Sequence, residues 1–269
     1  MYYSKILFVF LITLHFESFS QKNSLSYSTG IAFNINKSSA ILPNYKTQKY
    51  SLGEGTILNL AYSHYPDSSH VLVGFELQSI IGKNNIKLLS KNSTENLNAE
   101  VRNVSNQLIL KTGYWWKYKK IHFELNTGLI LPYKNYYLQT IHQRDSIGNT
   151  IIKSEFKHYF SLGFNGKLLV TYPIQKNISI FTAINLNLLN AKVKSSEIKS
   201  FSNYKYETIE TAFPDVADRD VNYLKNIEDI KNNKTVLPKL FNKNMASDEL
   251  SYKESFSNWG LSFGFKFSF

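Results

Sequence analysis

The last eleven residues constrain the fold of this chain more than any other stretch. Trp259, Leu261, Phe263, Phe265, Phe267 and Phe269 occupy every second position, with Gly260, Ser262, Gly264, Lys266 and Ser268 between them. A period of two puts successive side chains on opposite faces of an extended strand. One face is therefore uniformly large and apolar, the other small or polar. Strands of a soluble sandwich also alternate, but they seldom carry six large apolar side chains in succession. A strand with lipid on one side and a polar interior on the other requires this division.

The same alternation recurs upstream in strand-sized pieces. Leu25, Tyr27, Ile31, Phe33 and Ile35 oppose Ser26, Ser28, Gly30, Ala32 and Asn34. Further strands are predicted at 58–63, 71–78, 107–116, 121–131, 160–172 and 178–188, which makes eight with the terminal segment. Each approaches the roughly ten residues that a tilted strand needs to cross the hydrocarbon. The connections alternate as well. Tyr65–His70, Lys117–Lys120 and Pro173–Asn177 read as short turns, whereas Asn36–Gly53, Gly82–Arg102, Lys134–Glu155 and Leu189–Tyr252 read as long loops. Short turns at one end and long loops at the other are expected of a membrane barrel. Pairing Trp116 with Ile121 across one turn sets Gly113 against Glu124 and Lys111 against Asn126, polar face to polar face. Aromatic residues such as Tyr62, Tyr65, Tyr114, Trp116, Tyr133 and Tyr172 cluster at strand ends, as interfacial girdles do.

The expected fold is all-β: a transmembrane antiparallel up-and-down barrel, a single domain over residues 21–269. Ten strands is the alternative, because the long last loop at 189–252 carries a weak hairpin pattern at Phe201–Phe213 and a helical one at Val216–Asn232. Before the barrel, Lys5, the apolar run Ile6–Leu14 and the small residues of Ser18-Phe19-Ser20 read as a signal peptide over 1–20, removed on export. The apolar run is about half of the ~20 residues that a spanning helix needs. The chain has no cysteine, which excludes disulfides, thiolate metal sites and a lipoprotein anchor.

These features resemble the family of small outer-membrane barrels typified by the OmpA transmembrane domain and OmpX, and the PorT-like barrels. The closing strand ending in Phe269 and the alternating connections carry the resemblance, which spans the mature chain and is architectural. It implies an integral outer-membrane location in a Gram-negative-type envelope. It also implies that Trp259, Phe263, Phe265, Phe267 and Phe269 look like the signal engaged by the barrel assembly machinery.

Eight strands leave an interior that side chains fill, so a wide pore is not expected. Glu76, Lys111, Glu124, Lys167 and Lys266 fall on the polar face a few residues from the short-turn end of their strands. Charges buried at one depth should pair, since an unpaired one costs several kcal/mol. The bland outcome is a structural ion-pair network; the functional one is a gated ion path.

The net charge of +11 is spread among Asn and Ser rather than gathered into a stripe. That argues against nucleic acid and for acidic surfaces, lipopolysaccharide and outer-membrane lipids included. The acidic run Asp215, Asp218, Asp220, Glu228 and Asp229 lacks the glycine-containing loop of a calcium site and reads as a solvated face. No cofactor is expected. The one nucleophile and base worth pairing, Ser161 and His158, are three apart on a strand and so on opposite faces. The leading expectation is a non-enzymatic barrel whose loops bind a surface protein, a glycan or a small ligand. A narrow channel or transporter for small or apolar molecules is the alternative, and a lipid-modifying enzyme the third.

Overall fold

The computed structural model describes residues 22–35, 38–39, 49–50, 52–66, 69–89, 96–144, 149–203, 208–224, 227–236 and 238–269. The expected signal peptide at 1–20 lies outside them. The barrel opens with β1 (Lys22–Asn34). A two-stranded ribbon comes next, β2 (Ser38–Ser39) with β3 (Lys49–Tyr50). After it run β4 (Gly55–Tyr65), β5 (Val71–Leu89), β6 (Asn96–Tyr118) and β7 (Ile121–Arg144). β8 (Asn149–His158) and β9 (Gly163–Pro173) return along β7, and β10 (Ile178–Leu188) rises again. β15 (Asn258–Ser268) ends the chain.

Hydrogen-bonded neighbours run β1, β4, β5, β6, β7, β9, β10, β15 and back to β1, every pair antiparallel, so eight strands close in chain order with no edge left open. The ten-strand alternative is thereby excluded. Alternation is visible strand by strand. Phe181, Ala183, Asn185 and Asn187 of β10 are buried, and Thr182, Ile184, Leu186 and Leu188 are exposed. The exposed set over the whole barrel includes Tyr27, Ile31, Phe75, Leu110, Leu125, Phe164, Leu261, Phe263 and Phe265. An apolar band that encircles the molecule is stable in lipid, and no water-soluble surface carries one of that size.

The short turns stand as expected, with one difference of register. Tyr118 pairs with Ile121, and Trp116 pairs with Phe123 rather than with Ile121. The strands run two residues further because Lys119 and Lys120 alone make the turn, Lys119 adopting φ +55°. A left-handed turn residue matches the twist of the flanking strands. A shift of two preserves facing, so Gly113 meets Asn126 and Lys111 meets Gly128, lumen to lumen.

At the loop end the expected loops are largely strand. The segment 82–102 is a hairpin extension in which Gly82 to Leu89 pair with Asn103 to Asn96. The segment 134–155 is another, β7 continuing to pair with β8. The last connection begins as β11 (Asn190–Ser202), which pairs with β8, and goes on through β12 (Asp220–Leu224), β13 (Ser247–Leu250) and β14 (Lys253–Ser255). β13 lies parallel to β12, extending the wall of β7, β8 and β11 beyond the barrel. The predicted hairpin at Phe201–Phe213 is absent among the described residues. The predicted helix at Val216–Asn232 is a single turn, Val216–Arg219, before β12 begins. Asn232 anchors the stretch between β12 and β13: its side-chain amide donates to the carbonyls of Asn242, Met245 and Ala246, and its oxygen accepts from Asn242 N–H at 2.6 Å. The backbone N–H groups of Lys231 and Asn232 converge on Asp248, 3.0 and 2.8 Å away.

Candidate functional site

The lumen is stratified along the barrel axis. Nearest the short turns lies the charged layer. Lys167 Nζ donates to both oxygens of Glu76, at 3.0 and 2.8 Å, both side chains being buried. Lys266 contacts Glu124 and lies 2.6 Å from the Tyr65 hydroxyl, which donates to Glu124 at 3.1 Å. The Lys266 ammonium also sits 4.7 Å from the centroid of the Tyr65 ring. Lys111 is buried in the field of Glu76, Glu124, Lys167 and Lys266, with no carboxylate in ion-pair contact among the described residues. The layer therefore holds three lysines against two carboxylates, with two pairs made.

Above it lies a layer of amides, which the sequence displayed only as the polar members of the alternation. Asn165 donates to Asn187 at 2.7 Å, and Asn187 to Gln78 and Asn258 at 2.8 and 3.0 Å. Asn185 donates to Ser262 at 3.0 Å. An amide can both give and accept, so such a network needs no charge, although the Asn185 oxygen is left without a partner.

Toward the loop end the filling turns apolar. Leu52, Ile109, Ile130, Leu189 and Phe256 pack together, all essentially inaccessible. Phe256 is drawn in because its N–H donates to Leu189 O at 2.8 Å, while the Ser257 hydroxyl accepts from Leu189 N–H at 3.0 Å. Beside this plug sits a cluster that sequence reasoning missed. His158 Nε2 is 2.6 Å from Glu254 Oε2, and the Tyr137 hydroxyl donates to Glu254 Oε1 at 3.2 Å. Phe156 stacks on Tyr137 with ring centroids 4.5 Å apart. No sequence period links residues 158 and 254, so only the tertiary structure reveals the pair. Farther out, Tyr252 and Tyr223 meet edge to face at 5.5 Å. Burial raises the pKa of both hydroxyls, and the Glu254 carboxylate adds to the effect.

Close to that cluster the wall opens. Ile130 pairs with Gly163 and Tyr136 with Lys157, but the residues between, 131–135 and 158–162, do not pair. Pro132 lacks the N–H that a ladder needs. On its other side β7 carries an extra residue, for Gln107 pairs with Pro132 and Asn106 with Lys134. Such a bulge bends the strand and reverses its facing. A groove of about 640 Å3 results, lined by Leu77, Leu108 and Leu131 and by Asn135, His158 and Phe160.

The remaining candidates stand apart from this groove or do not combine within it. The Ser161 hydroxyl is buried without a hydrogen-bond partner, while His158 is turned to Glu254, so the two do not form a nucleophile and base. Among the described residues no three His, Cys, Asp or Glu side chains gather as metal ligands. Asp215 precedes the helical turn, and Asp220 opens β12, with Glu228 and Asp229 in a short 3-10 turn. Trp259, Phe263, Phe265, Phe267 and Phe269 all stand on the outer face, with Trp259 stacked on Phe33 at 4.7 Å.

No family model matches the chain, and no curated protein does. Solved structures similar to it include the outer membrane protein OprG from Pseudomonas aeruginosa, 13% identical over 93% of this chain and 95% of that one, with a TM-score of 0.43. The outer membrane protein AlkL is 12% identical over 93% and 89%, with a TM-score of 0.40. The outer membrane protease OmpT from Escherichia coli is 10% identical over 93% and 97%, with a TM-score of 0.35.

Proposed function

We propose that this chain is an integral outer-membrane protein, sealed against free diffusion and without catalytic chemistry of its own, that works through the sheet raised at its loop end. The filled lumen carries the reading: paired charges, a network of amides and an apolar plug succeed one another along the axis. The loop end faces outward, and the short turns face the periplasm, as in barrels of this architecture. Its wall of β7, β8, β11, β12 and β13 offers a built surface rather than loose loops, and exposed lysines such as Lys153, Lys157 and Lys199 favour an acidic or glycan partner, including lipopolysaccharide. Residues 1–20 serve as the export signal, and the outer-face residues of β15 serve as the assembly signal.

Heat-modifiability and conductance test this together. Extracted protein should change gel mobility on boiling, as a closed barrel does, and the purified protein in a planar bilayer should show no steady conductance. A soluble periplasmic protein without the shift would overturn the membrane reading, and steady channel steps would overturn the seal.

A second reading is favoured by the break beside Pro132: a lateral passage for apolar molecules between lumen and lipid. Opening the plug at Phe256 would be required, so a tracer flux that rises in Phe256→Ala and is absent from the unsubstituted protein would identify the plug as the closed gate.

A further inference from the structure

We infer that the break in the wall at 131–135 and 158–162 is a binding site for a single-chain amphiphile with a carboxylate head, the class of a long-chain fatty acid. The location is that of the second reading above, but holding a ligand does not require passing it.

Three observations converge. The groove's volume of about 640 Å3 falls inside the range of about 300–1,000 Å3 usual for small-ligand sites. Its lining is graded along the barrel axis: Leu77, Leu108 and Leu131 lie toward the middle of the band, and Asn135 and His158 toward the loop end. A tail pointing into the bilayer with its head at the interface meets that gradient in the correct sense.

The second observation is hydrogen-bonding capacity left over at the polar end. Asn135 Oδ1 accepts from Ser105 at 2.8 Å, but its Nδ2 is buried with no partner. The Ser161 hydroxyl, in the same break, is likewise buried and unpartnered. Other buried polar atoms, such as those of Gln107 and Asn126, also lack a partner, but these two stand together in the wall defect, where one acceptor from outside the chain would satisfy both. An amide N–H2 and a hydroxyl both donate to carboxylate oxygens.

The third is charge. Lys134 stands between the lining residues Tyr133 and Asn135, and Lys157 stands next to His158, both exposed at the rim. Lys157 is 3.7 Å from Glu155, and Lys199, which approaches Glu155 at 3.9 Å, pairs with Glu197 at 2.6 Å, so that group is balanced and the positive excess at the rim rests on Lys134. Lys134 lies over the Tyr136 ring, 5.0 Å from its centroid, with no carboxylate in contact among the described residues. That favours a monoanionic head over an alcohol or a zwitterionic phospholipid.

The test uses full-length protein in vesicles and diazirine-tagged palmitic acid, with diazirine-tagged hexadecanol and phosphatidylcholine as comparison probes. Palmitic acid should label residues within 131–135 and 158–162. Asn135→Asp keeps the acceptor for Ser105 while replacing the donor with a charge, and it should reduce that labelling about tenfold, the loss of one charge-assisted hydrogen bond. Leu108→Trp should reduce it by filling the apolar end, and Pro132→Val by allowing the ladder to close. All three should keep the boiling-dependent gel shift. Equal labelling by hexadecanol or phosphatidylcholine, labelling spread over the lipid face, or indifference to Asn135→Asp in an intact barrel would each overturn the site. Passage is read separately, by flux into the vesicle lumen, so a failed second reading leaves this result interpretable.

Discussion

Glu76 and Lys167 show what one residue type at one lumen position commits the barrel to. Each is buried, and each finds its main partner in the other. Glu76→Gln leaves an ammonium in a low-dielectric layer that already carries a surplus lysine, and should cost about 3–5 kcal/mol, whereas Glu76→Gln with Lys167→Met should recover most of the loss. Urea titration of folded protein in vesicles, followed by intrinsic fluorescence, measures both. At the loop end Tyr223 and Tyr252 give a pH prediction. Their folded pKa values lie above the unfolded value of about 10, so the folded form holds its protons longer. Stability of the external sheet is thus unaffected below that pH and falls as pH rises above it. Limited proteolysis should cut the 203–252 region faster as pH rises above about 10, and that pH dependence should vanish in Tyr223→Phe with Tyr252→Phe.

Among the elements, the β1–β15 pair is one of the demanding ones. A Cβ placed on Gly264 would lie 2.0 Å from Tyr27 O and 2.7 Å from Ser28 Cα, and one on Gly30 would lie 2.1 Å from Leu261 O. The two strands approach on the lumen side closely enough that only glycine fits. Gly264→Val should therefore yield protein that reaches the membrane but shows no boiling-dependent shift, while Phe263→Leu on the outer face of the same strand should keep it. The alternation of such strands was legible in sequence because lipid on one side and polar packing on the other impose it on each residue. The upper halves of β5 and β6 were not legible, since an outer face beyond the lipid need not be apolar, even though Ala99 and Val101 of β6 are buried on the inner one. Lys83, Asn84, Asn85 and Lys87 look like loop and pair as strand. The wall break had one visible signal, Pro132, and the rest of the site depended on a bulge that only pairing reveals.

On the scale of the whole molecule, the barrel and the sheet above it rest on different forces. The barrel is fixed by closure and lumen packing. The outer sheet depends on local networks such as the one that Asn232 and Asp248 organise. Proteolytic trimming of the 203–252 region should leave a heat-modifiable core, measured as a resistant fragment that still shifts on boiling. The lumen charges could be read as pairing candidates from their common depth, but which partner each takes, and the surplus at Lys111, depend on how strands far apart in sequence come to face one another.

Closure has a kinetic consequence. The seam joins Asn23 to Phe269 by two backbone hydrogen bonds, of 2.8 and 2.9 Å, between opposite ends of the described chain. All the other barrel pairings can form between segments closer in sequence. The seam therefore sets the longest search, and contacts of that separation form slowly. Until it is made, β1 and β15 are two bare edges carrying Tyr27, Ile31, Phe263 and Phe265, a state primed to pair with any other strand in reach. Such a chain spends its vulnerable time as an open sheet, and whatever shelters those two edges governs how much of it arrives folded.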